Sequence, residues 1–240
     1  MFVARILVAS TVISAAAVVN GALSASADAP PLRHLVYNFT YSSHQEGNVP
    51  NEAGSSGAQT YAATLDDKGT IAVDVLREAQ DRGLVVSVSE QGEHTRNSAP
   101  ATCAVYGTTD VACDPDKQVN REEYTLLRFL GVNFVDLSRI DEKQHWSVAE
   151  TKGNVAMSAD YVISSNDSGV LKIGETRHVE DKQGGTTYDI ETKIAYAPAR
   201  EIPISIDEYA KEERHGGVNG VYHTTYQTTL TLASDSLAKP

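Results

Sequence analysis

From Arg33 onward, apolar and polar residues alternate. Leu35, Tyr37, Phe39 and Tyr41 share one face and His34, Asn38 and Thr40 the other, the period of a half-buried strand. The same period returns in Thr70 to Arg77 with Ile71, Val73 and Val75, and in Gly83 to Glu90 with Leu84, Val86 and Val88. Val155 to Ser164 carries Tyr161 and Ile163, and Val170 to Glu180 carries Leu171, Ile173 and Val179. In Thr186 to Tyr196, Tyr188, Ile190, Ile194 and Tyr196 face in while Asp189, Glu191 and Lys193 face out. A short strand follows over Ile202 to Ile206, where Pro203 marks an edge or a bulge. Val221 to Leu232 ends the series with Tyr222, Tyr226, Leu230 and Leu232 on one side. Turn chemistry predicts reversals at Asp66-Asp67-Lys68-Gly69, Asn166-Asp167-Ser168-Gly169 and Gly184-Gly185. Ser42 to Gln59 and Gln91 to Pro100 have little to bury and are expected to be exposed loops.

One stretch breaks this pattern. Asn120 is a good N-cap, Glu123 completes a capping box, Glu122 and Glu123 suit the positive end of a helix dipole, and Gly131 supplies a stop. The spacing predicts a helix over 120–131. Tyr124, Leu126, Leu127, Phe129 and Leu130 spread over roughly 220° of it, wider than the stripe of a surface helix. Such a helix needs cover on several sides.

Each strand is apolar on one face only, the mark of antiparallel pairing with one solvated side. One short helix cannot cover so many strands, so the sheet must bend back on itself. The expected fold is all-β with one central helix: a curved antiparallel half-barrel around a short buried helix, with a β-sandwich as the alternative. A long antiparallel meander, a central helix and long curved C-terminal strands, behind an apolar leader, resemble the bacterial periplasmic lipoprotein and lipid carriers that use an unclosed β-barrel. The resemblance is one of architecture over roughly residues 33–232 and carries no functional residue across; it implies an apolar ligand on the concave face.

The start of the chain bears on location. Arg5 precedes an apolar run from Ile6 to Val19, and Ala25-Ser26-Ala27 offers a signal-peptidase site before Asp28. Residues 1–27 are therefore expected to be a signal peptide and 28–240 one domain, exported to a periplasm or secreted, with no transmembrane anchor because the run is too short to span a bilayer. Cys103 and Cys113 are the two cysteines; they flank the turn Gly107-Thr108-Thr109-Asp110 and in an exported protein are expected to pair. The net charge of −12, without basic clusters, argues against a nucleic-acid partner.

No histidine pair has zinc-helix spacing, and no nucleophile elbow, phosphate loop or regular calcium loop occurs, so neither a metal nor a cofactor is expected. The adjacent acids Asp66-Asp67, Glu122-Glu123 and Glu212-Glu213 read as turn and helix-start residues. The tyrosines stand out instead: Tyr37, Tyr41, Tyr188, Tyr196, Tyr222 and Tyr226 all fall on the inward face, and buried phenols need partners. Together with Leu127 and Trp146 they form the candidate ligand surface, although plain β-propensity is the favoured explanation of the tyrosines. Three functions stay open: a non-catalytic carrier of an apolar small molecule or lipid, a structural or protein-interaction module with an envelope protein partner, and an envelope enzyme with an unrecognised site.

Overall fold

The computed structural model describes residues 30–50, 58–94, 96–135, 144–216 and 220–237; the expected signal peptide lies outside them. Five strands precede the helix: β1 (Arg33–Pro50), β2 (Ala58–Glu78), β3 (Leu84–Gly92), β4 (Asn97–Gly107) and β5 (Asp110–Cys113). Helix α1 (Arg121–Leu127) is followed by β6 (His145–Lys152), β7 (Val155–Asp167), β8 (Val170–Asp181), β9 (Thr186–Ala197), β10 (Ile202–Gly216) and β11 (Gly220–Asp235). All the strands form one antiparallel sheet in the order β5-β4-β3-β2-β1-β11-β10-β9-β8-β7-β6. The fold is an unclosed, all-β sheet, and the sandwich alternative is excluded because no second sheet is present among the described residues.

This order explains why the helix is central. The two edge strands, β5 and β6, are consecutive in the chain, so the segment joining them must cross from one edge of the sheet to the other. A single apolar cluster joins Leu35, Phe39, Ile71 and Ile206 of the sheet to Leu126 and Leu127 of α1, which places the crossing on the concave side. The two edges approach each other where Lys152 Nζ donates to Thr109 O at 3.3 Å and stands 3.6 Å from Asp110 Oδ1.

The capping box is formed, with the Asn120 N–H donating to Glu123 Oε2 at 2.6 Å. The helix is shorter than predicted. After Leu127 the chain tightens, Phe129 N–H reaching Leu126 O and Leu130 N–H reaching Leu127 O, so Phe129 and Leu130 pack inward from a turn. Gly131 ends this segment at φ +82°, its N–H on Glu201 O and its carbonyl accepting the Tyr196 hydroxyl. Tyr124 departs from the expected buried arc and is 38% exposed, whereas Glu122 and Glu123 are fully buried.

Three loop predictions are corrected. Ser42 to Pro50 continues β1 and Ala58 begins β2, because this polar backbone is paired along its length: Ser42 to Gly47 with β11 on one side, and all of it with β2 on the other. Asp66 to Gly69 is not a turn but the middle of β2. Gly69 is needed there since a Cβ would run into the Gln91 carbonyl, and buried Asp67 accepts the N–H groups of Lys68, His94 and Arg96, fastening the β3–β4 connection. That connection is shorter than the expected loop, β3 reaching Gly92 and β4 starting at Asn97. Pro203 sits at a bulge, and its strand runs on to Gly216 instead of stopping at Ile206.

Cys103 and Cys113 face each other across β4 and β5 and form a disulfide. Their sequence separation of 10 closes a short loop. Replacing both by serine is expected to cost about 3 kcal/mol or less, with the far-ultraviolet β-signal kept, as measured by urea unfolding and circular dichroism.

Candidate ligand site on the concave face

Laying the strands in register divides the concave face in two. One inward row, Ile163, Ile173, Ile194, Ile206, Leu230 and Phe39, is wholly apolar. The next inward row, two residues along each strand, reads Tyr161, Glu175, Thr192, Glu208, Thr228 and Tyr41, with Asp67 beyond it on β2. This polar row runs straight across the sheet under α1 as a boundary, and the inward row beyond it reads Ala159, Arg177, Ile190, Ala210 and Tyr226.

The oily end is filled. Leu126, Leu127, Phe129, Leu130 and Phe134 follow α1 into it, each 2% exposed or less. Phe134 meets Phe129, Trp146, Tyr161 and Tyr196 edge-on, and Trp146 stacks on Tyr161 with ring centroids 4.8 Å apart. Tyr37 donates to Pro203 O at 2.9 Å and Tyr196 to Gly131 O at 2.6 Å, so both phenols close on backbone carbonyls. Burial pushes both hydroxyls well above the ordinary tyrosine range. Four predicted site residues, Tyr37, Tyr196, Leu127 and Trp146, thus lie within the packed end.

At the boundary, charged side chains of α1 and its flanks are seated on the sheet. Arg128 is 2% exposed, bonded to Glu175, with Nη1 3.5 Å from Glu208 Oε2. Glu175 also accepts from Tyr161 at 2.8 Å and Thr192 at 2.7 Å; Glu208 accepts from Arg121 at 2.8 Å and Thr125 at 3.2 Å. Arg96 grips Glu122 with two bonds of 2.9 and 2.7 Å, its guanidinium 4.7 Å from the Tyr41 ring centre.

The remaining inward tyrosines lie on the far side of the polar row from the oily end, where the start of α1 reaches one of them. Tyr188, Tyr222 and Tyr226 are each partly exposed. Tyr226 donates to Glu212, Tyr188 bonds the same carboxylate, and Arg121 lies 4.4 Å over the Tyr226 ring. Burial, and then the bond to Glu212, raise the Tyr226 hydroxyl. Arg214 stands 5.4 Å from the Tyr222 ring, which lies where a Cβ on Gly47 would be. Arg177 completes this end and makes no hydrogen bond or ion pair among the described residues; its Nε is buried without an acceptor. Burial and the neighbouring charge of Arg128 lower its affinity for its proton. Tyr41 sits between the two ends, its ring 6.4 Å from that of Tyr226.

Arg177, Glu175 and Glu208 are absent from the candidates expected from the sequence, and Glu212 is expected there only as half of an acidic pair. Each was available from parity: Arg177 and Glu175 are in phase with Leu171 and Ile173, and Glu208 and Glu212 with Ile206 once β10 is extended. Among the described residues, no three histidine, cysteine, aspartate or glutamate side chains are placed to hold a metal ion. Several exposed histidines pair with carboxylates, as His34 with Asp74 and His178 with Asp189, both at 2.7 Å, while His215 and His223 share Glu213. No described helix is long and apolar enough to cross a membrane.

No family model matches the chain, and no curated protein does. Among solved structures, a chain from work on lipid–protein interactions in lipovitellin is similar, at 11% identity and a TM-score of 0.47, over 88% of this chain and 26% of its own length. The present chain therefore spans about a quarter of that protein.

Proposed function

We propose that this protein is an exported, non-catalytic binder of a small amphipathic molecule, an apolar body carrying an acidic group, held on the tyrosine-bearing end of the concave face. One observation carries the reading: three partly exposed tyrosines, Tyr188, Tyr222 and Tyr226, share this end of the concave face with Arg177, which forms no ion pair among the described residues. Aromatic rings supply apolar contact area with polar tips, and a guanidinium whose Nε has no acceptor among the described residues is suited to an acidic group. The filled oily end supports contact with the rim of the concavity over carriage deep inside it. Export is supported by the leader pattern and by a disulfide, which persists in oxidising compartments.

Oleate serves as the probe. Native mass spectrometry should show one oleate bound, and Arg177→Ala and Tyr226→Ala should each weaken it about tenfold, near 1.4 kcal/mol, without changing the urea midpoint in proportion. Unaltered affinity in both variants would reject the site. The filled core favours a second reading, a protein-interaction module presenting the free edge of β6. Absence of any retained small molecule in protein purified from its own compartment, with a co-purifying envelope protein in its place, would select it.

A further inference from the structure

The seat of the first turn of α1 contains more carboxylates than cations. Glu90 points inward from β3 and is 3% exposed; Glu122 and Glu123 are fully buried above it. Arg96 is the one guanidinium in reach among the described residues, and both its side-chain hydrogen bonds go to Glu122, leaving its Nε 4.0 Å from Glu90 Oε1. Glu123 is satisfied by the Ser98 hydroxyl at 2.5 Å and the Asn120 N–H at 2.6 Å. On β2, Asp67 is taken up by three backbone N–H groups, and Tyr41 of β1 presents its ring to Arg96. Among the described residues Glu90 is left with one hydrogen bond, from Asn120 Nδ2 at 3.1 Å to Oε1, while Oε2 is buried with no hydrogen-bond partner. A buried carboxylate oxygen with no donor beside two further carboxylates calls for neutralisation. A metal ion is not the candidate, because the acidic side chains are not arranged as a ligand set among the described residues.

We propose that α1 is seated on a proton: Glu90 is the neutral acid while the helix is docked, and its ionisation loosens the first turn of α1 and the β3–β4 connection beneath it. The direction of the pH effect follows. Burial, then the charges of Glu122 and Glu123, push the Glu90 carboxyl up to about 8 from its ordinary 4.5. Between these values the folded chain holds a proton that the unfolded chain has released, so stability falls as pH rises through this window and levels off above it. Burial also raises Glu123, against the bonds from Ser98 and Asn120, which adds in the same direction.

The test compares urea unfolding of wild type and Glu90→Gln from pH 5 to pH 9. Glutamine keeps the acceptor for Asn120 and cannot ionise. The folded-to-unfolded ratio of wild type relative to the variant should drop by up to about tenfold per pH unit across the window, and the variant should be the more stable at pH 9. Parallel pH profiles would overturn the proposal. Should the variant fail to fold, carbon-13 titration of the glutamate carboxyls in wild type decides: one resonance with a midpoint near 8 is expected, and midpoints all in the ordinary carboxylate range would overturn it equally.

Discussion

Arg128→Ala is expected to lower the stability of the protein by about 3–5 kcal/mol, read from the urea midpoint by Trp146 fluorescence. The guanidinium is 2% exposed and lies between Glu175 and Glu208, themselves 3% exposed. Its loss leaves two carboxylates inside the concavity with hydroxyl donors and Arg121 but without their shared counter-ion. Desolvating the charges is costly even when they are paired, so the large effect measures an abandoned partner and not the net value of the ion pair. The control is Arg128→Met with Glu175→Gln and Glu208→Gln, which removes all three charges and should recover much of the deficit. A variant with Arg128→Ala alone that melts like wild type would mean that the polar row does not hold α1.

Leu127→Asp tests the other side of the same segment. Leu127 is fully buried in the oily end, so a carboxylate there should cost at least several kcal/mol unless it takes up a proton or the helix undocks. Glu191→Ala, on the outer face of β9, should stay within about 0.5 kcal/mol. The two changes can be compared in one set of urea melts, and equal midpoints would remove the helix from the core.

The contrast between these two residues also marks what the sequence makes legible. Leu127 could be placed inside because an apolar side chain in a helical pattern has one physical explanation. Alternation in β1 and β9 was readable for the same reason, since one face of each strand is solvated. Arg128 and Glu175 were not readable as partners: each looks like a surface residue on its own element, and only the seating of α1 on the sheet brings them together across 47 positions of the chain. Asp66 to Gly69 misled for a related reason. Aspartate and glycine favour turns by accepting N–H bonds and by lacking a Cβ, and β2 uses both properties inside a strand, Asp67 to fasten the β3–β4 connection and Gly69 to let Gln91 approach. Of the tyrosines, their inward direction could be read, but not which end α1 covers. That depends on β5 and β6 being the sheet edges, a property of the whole strand order.

The most direct measurement is a crystal structure of the protein with oleate bound. The account predicts the carboxylate against Arg177 and the chain across Tyr188, Tyr222 and Tyr226, with α1 still seated on Glu175 and Glu208. An acyl chain within the oily end, with Leu127 and Phe134 displaced, or an empty tyrosine face at saturating oleate, would contradict it.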